Sequence, residues 1–178
     1  MLKNSNNNFG LVSKTVHWLS AVMLLSLFAV GFWMVDLSYY SEWYRVAPYY
    51  HKAFGLTLLA LTIFRLVWKL ATPQPEIIAN NKAEKTIAKL GHAALYLFMF
   101  VIMISGYLIS TADGRGIELF NIFTVPSLGE FIENQEDVAG VIHEYAAYTI
   151  MFLIVGHIAA ALKHHFIDKD DTLKRMTH

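Results

Sequence analysis

The sequence predicts an all-α integral membrane protein, a four-helix bundle with both termini on the cytoplasmic side. Three observations carry that reading. The chain is apolar throughout: 56% of its 178 residues are hydrophobic and only 16% charged, with a mean hydropathy of +0.42, which is unusual for a soluble domain of this length. It holds four apolar runs of spanning length, and its basic residues gather on one side of those runs. No second domain, repeat or low-complexity tract interrupts it, so residues 1–178 read as a single transmembrane domain. The absence of cysteine excludes disulfides, Cys-ligated iron–sulfur clusters and haem attachment through Cys-x-x-Cys-His. A formal net charge of zero gives no reason to expect a polyanionic partner such as nucleic acid.

The four runs cover about residues 16–35, 51–70, 90–112 and 140–162. Each approaches the roughly 20 residues that a helix rising about 1.5 Å per residue needs to cross a bilayer. The first follows Lys14, is too long for the apolar core of a signal peptide and lacks a small-residue cleavage site, so it reads as a retained helix. The second is interrupted by Lys52 and Arg65. Arg65 lies near one end, where its long side chain can snorkel to the interface. With four spans, the N-terminus, the 71–89 connection and the C-terminus share one side. Of the fourteen Lys and Arg residues, only Arg45, Lys52 and Arg115 fall on the other. This bias places the shared side in the cytoplasm. TPQPEI (Thr72–Ile77) is a proline-punctuated inner connection and ADGRG (Ala112–Gly116) an outer turn. The apolar positions of 117–138 suggest that part of this segment lies on the outer membrane surface.

Histidine is the unusual residue, with His17, His51, His92, His143, His157, His164, His165 and His178. His143 and His157 lie fourteen residues apart on the fourth helix. That is a rise of about 21 Å and a turn of about 1400°, roughly 40° short of four full turns. They therefore face the same way at two membrane depths. His51 opens the second helix at about the depth of His143, and His17 sits on the first helix at about the depth of His157. The result is two His–His pairs, one above the other. Facing neutral imidazoles suit the axial positions of a low-spin haem iron, and helical bundles build such sites from facing helices. Gly55, Gly140 and Gly156 lie beside these histidines and would let a porphyrin approach the backbone, although small residues are equally common where membrane helices touch.

His92 is a rival to His17 as partner of His157. His164, His165 and His178 read first as interfacial residues. Zinc held by His17, His92 and His157, and a metal-free proton relay, are the alternatives to haem. Arg65 and Lys69 lie near the inner pair and suit haem propionates or a quinone oxygen as well as plain anchoring. His164, about 20° off the face of His157, is placed to deliver protons to a quinone. Lys52, next to His51 at the outer surface, is placed to attract a substrate.

KTVHWLS (Lys14–Ser20), HKAFGLTLLALTIFRLVWKL (His51–Leu70), LGHAALYLFMFVIMISGYLIS (Leu90–Ser110) and HEYAAYTIMFLIVGHIAAALKHHFIDKDDTLKRM (His143–Met176) resemble the four helices and tail of the bacterial cytochrome b561 family. The resemblance implies a multi-pass protein of the bacterial inner membrane with two non-covalent b-type haems stacked across the bilayer. His17 and His157 would ligate the inner haem, and His51 and His143 the outer one. It also implies electron exchange with membrane quinone. One branch of the family oxidises superoxide on the outer side and passes the electron to ubiquinone. The outer side of this chain sets three basic residues against nine acids, among them Glu130, Glu133, Glu136 and Asp137. An anionic donor would then depend on a local positive funnel at Lys52. A periplasmic redox or quinone-carrying protein is the other partner to expect. Two further readings are a cytochrome subunit that docks a separate redox enzyme through the 113–137 loop, without a substrate site of its own, and a haem-free structural or transport protein.

Overall fold

The computed structural model describes residues 1–177; His178 lies outside the described residues. Four helices, α1 (Leu11–Met34), α2 (Trp43–Ala71), α3 (Lys82–Thr111) and α4 (Gln135–Lys163), are long and apolar enough to cross a membrane. A π-helical turn, His164–Asp168, extends α4, and a short helix, α5 (Lys174–Thr177), ends the described chain.

The helices outrun the apolar runs, mostly at their N-terminal ends, because polar turns continue them. α3 starts at Lys82 rather than near 90. Asn81 caps it, accepting from the Glu84 N–H at 2.9 Å, while the Glu84 carboxylate reaches back to the Asn80 N–H at 2.7 Å. α4 starts at Gln135, with Glu136 and Asp137 in the turn where a helix dipole favours negative charge. α2 starts at Trp43 and runs through Pro48, within its first two turns. The missing donor costs least near that end.

One register organises the bundle. Reading each helix in steps of seven residues gives His17–Leu24–Gly31 on α1, His51–Leu58–Arg65 on α2, His92–Met99–Gly106 on α3 and His143–Ile150–His157 on α4. Seven residues fall only about 20° short of two turns, a drift that helix supercoiling absorbs. Because neighbouring helices run antiparallel, these positions meet in three layers. Leu24, Leu58, Met99 and Ile150, joined by Met103, form the buried middle layer. Leu58 and Ile150 are each 1% exposed. His17, Arg65, His92 and His157 form the layer at the end that carries the chain termini. Gly31, His51, Gly106 and His143 form the layer at the opposite end. Small buried residues let the helices close up: Ala53 and Thr62 are fully buried, and the Thr62 and Ser20 hydroxyls donate to carbonyls of their own helices at 2.7 Å. The backbone of α4 packs on α3 and that of α1 on α2, with α2 against α3 joining the two hairpins. α4 meets α1 and α2 through Ile150, which shares the core with Leu24 and Leu58, and through ring contacts of His157 with His17, Tyr148 with Phe28 and His143 with His51.

Each end is closed differently. At the terminal end Asn4 is buried; its Oδ1 accepts from the Gly10 N–H (2.8 Å) and the Ser13 hydroxyl (2.7 Å), and its amide donates to Thr72 Oγ1 (3.2 Å). The Trp18 indole donates to the Met176 carbonyl at 2.9 Å, which ties the tail to α1. At the other end the segment expected to lie on the membrane surface contains an antiparallel ribbon, β1 (Ile117–Leu119) with β2 (Phe123–Val125), paired Ile117↔Val125 and Leu119↔Phe123. The all-α reading thus gains two short strands. Their connection puts Phe120 and Asn121 at positive φ, as in a type I′ turn, without the usual glycine. At Gly116 a Cβ would fall 2.5 Å from the Val125 carbonyl oxygen, so only glycine admits the partner strand. The Phe120 ring rests edge-on against Phe54 of α2 at 5.1 Å. Gln135, 2% exposed, donates to the Leu108 carbonyl and accepts from the Phe131 N–H, pinning the following loop to α3.

Candidate functional site

At the ribbon end the His51 and His143 rings lie 6.3 Å apart between centroids, inclined at 73°. His143 Nδ1 is 2.8 Å from the Ile102 carbonyl and 3.2 Å from Ser105 Oγ, whose own proton goes to the Val101 carbonyl at 2.7 Å. Both neighbours of Nδ1 therefore accept, which fixes the proton there and leaves Nε2 with its lone pair. A histidine that ligates a metal is held in this way. His51 Nδ1 is buried and has no hydrogen-bond partner. Each ring rests on a glycine of a neighbouring helix. A Cβ at Gly31 would come within 3.0 Å of His51 Cε1, and one at Gly106 within 3.0 Å of His143 Cε1.

At the terminal end His17 and His157 are also 6.3 Å apart, inclined at 67°. His92 lies closer to His157, at 5.4 Å, but is the more exposed of the three. Arg65 Nη2 donates to His17 Nδ1 at 2.9 Å. The Arg65 guanidinium and the Lys69 ammonium both sit over the Tyr96 ring, at 5.3 and 4.9 Å. Neither cation has a carboxylate partner among the described residues.

The donor set fits haem better than zinc. The interior layers hold imidazoles in facing pairs and no carboxylate or thiolate. His17, His92 and His157 do not converge as a three-ligand group. Among the described residues the one such group, with ligand atoms within 4.8 Å of one another, is Glu84, His164 and Asp168. Lys163 already bridges its two carboxylates at 2.7 Å each. The glycines beside these histidines, Gly55, Gly140 and Gly156, were expected either to admit a porphyrin or to let helices touch. A Cβ on Gly55, Gly140 or Gly156 would meet no protein atom within 4 Å, so close helix contact does not demand them. The contacts that do demand glycine are those of Gly31 and Gly106. The step of seven from Leu24 and Met99 is the sequence signal that marks them.

His164 is buried one further step of seven beyond His157, where the π turn begins. It faces the tail, with Nδ1 2.6 Å from Asp170 Oδ2 and 3.3 Å from Asp168 Oδ2. It also lines a cavity of about 430 Å3 with Glu84, Ile87, Ala88, Ala160 and Lys163. Lys52 is exposed and lines a cavity of about 630 Å3 at the ribbon end, together with Arg45, Arg115, Tyr44, Tyr49 and Glu118. The three basic residues outside the terminal end thus meet at one cavity. Arg115 is also paired with Asp113, which holds that carboxyl below its ordinary range.

Four apolar helices with paired interior imidazoles define the class of helical membrane cytochromes. The profile of the prokaryotic cytochrome b561 family matches residues 8–178, and the chain belongs to that family. It is 46% identical over 174 residues to cytochrome b561 homolog 2 of Escherichia coli (strain K12), across 97% of this chain and 93% of that one. It is 28% identical over 167 residues to the probable superoxide oxidase CybB of Yersinia pestis, across 90% of each. It is 26% identical over 174 residues to cytochrome b561 homolog 1 of E. coli (strain K12), across 96% of this chain and 97% of that one. The protein is accordingly a multi-pass inner-membrane cytochrome of the b type, built for electron transfer.

Proposed function

We propose that this chain carries two haem b groups, ligated by His17 with His157 and by His51 with His143, and moves electrons between a donor outside the cell membrane and membrane quinone. The observation that carries the reading is the matched pair of imidazole pairs, 6.3 Å each, at the two ends of α4. Each haem would supply an iron that takes up and returns one electron. The middle layer of Leu24, Leu58, Met99 and Ile150 keeps water and charge out of the space between the pairs. The gathering of Lys and Arg at the terminal end supports placing that end on the cytoplasmic side.

At the cytoplasmic end Arg65 and Lys69 are placed to hold haem propionates or a quinone oxygen. His164, hydrogen-bonded to Asp170, is placed to pass protons from the aqueous side to a quinone in the adjoining cavity. At the outer end Arg45, Lys52 and Arg115 make a basic mouth beside His51 on an otherwise acidic side. That local field draws an anionic donor. Superoxide is the donor that the name of the Yersinia pestis relative suggests.

A second reading is a cytochrome subunit that docks a redox enzyme or a periplasmic quinone carrier. Exposed Ile122, Leu128 and Phe131 at the ribbon end favour it. The two readings separate when the purified protein in liposomes is given a superoxide source and a short-chain quinone. Haem-dependent quinone reduction that falls several-fold in Lys52→Glu supports the direct donor site. Haem that stays oxidised under superoxide moves the assignment to a docked partner.

A further inference from the structure

The two imidazole pairs differ in what surrounds them, and the difference is electrical. At the terminal end a guanidinium lies 2.9 Å from a ring nitrogen of His17. A second cation, Lys69, shares the Tyr96 face with it. Neither is neutralised by a protein carboxylate among the described residues. Arg65 is half-buried within the layer, where charge is poorly screened. At the ribbon end no charged side chain belongs to the layer. The nearest cation, Lys52, is exposed, where water and salt weaken its field. There His143 Nδ1 gives its proton to the Ile102 carbonyl, which makes the imidazole a stronger donor to iron.

Adding an electron to an iron site lowers its charge. A cation beside the site favours the reduced form, and a more basic ligand favours the oxidised form. Both effects act in the same direction here. Resting on the two-haem reading, we infer that Arg65 makes the terminal-end haem the higher-potential centre of the two, so that electrons entering at the ribbon end come to rest beside His17 and His157. Ligation of iron through His17 Nε2 requires the ring proton on Nδ1, so with haem bound the guanidinium would leave that nitrogen and turn to the propionates, and Arg65 is thus a positioning residue for charge.

The test is a potentiometric titration of the full-length, haem-loaded protein, followed optically. It compares wild type with Arg65→Gln, Arg65→Lys and Lys69→Gln. In Arg65→Gln the higher of two one-electron steps falls, by at least the 59 mV that a tenfold change in a one-electron equilibrium represents, and the lower step stays in place. Arg65→Lys keeps the charge and most of the potential. Lys69→Gln lowers the same step by less. Where Arg65→Gln loses haem, Arg65→Lys and Lys69→Gln carry the test alone. An unmoved upper step, an equal shift of both steps, or an Arg65→Lys shift as large as that of Arg65→Gln would overturn the inference. One haem per chain with a single step would instead remove the two-haem reading beneath it.

Discussion

The two ends of the bundle hold the same pair of side chains at the same ring separation in opposite settings. The ribbon end is built from absence of bulk. Gly31 and Gly106 let the His51 and His143 rings lie against neighbouring helices, and backbone carbonyl and hydroxyl oxygens fix the His143 proton. The terminal end is built from charge, with Arg65 on His17, Lys69 nearby and His92 as a third imidazole. One end specifies a ring orientation and the other an electrostatic potential. A scaffold repeated in steps of seven residues can therefore hold two similar imidazole pairs in different electrostatic settings.

Removing a proposed ligand gives the largest expected effect. His143→Ala and His17→Ala should each lose one of two haems, measured as haem per chain, while His92→Ala keeps both. Loss in His92→Ala with retention in His17→Ala would transfer the ligand role to His92. Gly106→Leu comes next. Its Cβ would already crowd the His143 ring, so the ribbon-end haem should be lost or its spectrum broadened. Gly156→Ala, beside His157 and where a Cβ meets no protein atom, should leave the ribbon-end haem in place. Similar behaviour of the two glycine variants would break the distinction between the ends.

Much of this arrangement is legible in the sequence. The fourteen-residue interval from His143 to His157 put two imidazoles on one face at two depths, with His51 level with the first and His17 or His92 level with the second, because helical rise and turn determine depth and face; the choice between His17 and His92 stayed open. The steps Leu24 to Gly31 and Met99 to Gly106 were equally present. Their meaning depends on which helices meet, and that is a tertiary fact. Closeness in sequence to the histidines drew attention to Gly55, Gly140 and Gly156 instead. The polar start of α3 escaped because residues 82–89 carry no apolar run; the Asn81–Glu84 cap was the available sign. The ribbon escaped because Phe120 and Asn121 turn the chain without glycine. Arg65 read equally well as a snorkelling anchor and as a partner for a propionate or quinone, and its contact with His17 was not legible because it depends on how α1 and α2 meet.

Smaller effects probe the closures. Gln135→Ala removes a buried amide that serves two backbone partners, and Asn4→Ala removes one that serves three groups. Unsatisfied buried groups cost about 1–3 kcal/mol each. Thermal unfolding followed by haem release should fall modestly in both. Hydrogen exchange should rise locally, at 127–135 in the first variant and at 4–13 in the second. The smallest effect concerns the tail. Partial burial pushes the Asp170 carboxyl up, but the hydrogen bond from the Thr172 N–H and the contact with His164 outweigh it and hold it below its ordinary range. A depressed carboxylate contributes stability above its unfolded pKa of about 3.9 and loses it as pH falls through the folded value. Tail protection at 169–177 should therefore hold at neutral pH, fade below about pH 4 and lose most of that dependence in Asp170→Asn.

Haem content with a reduced-minus-oxidised spectrum of the purified wild-type chain tests the central claim most directly. The account requires two b-type haems per chain, with low-spin spectra at both sites and two resolvable reduction steps. A single haem, or a high-spin spectrum showing that an imidazole pair does not close on iron, would contradict it.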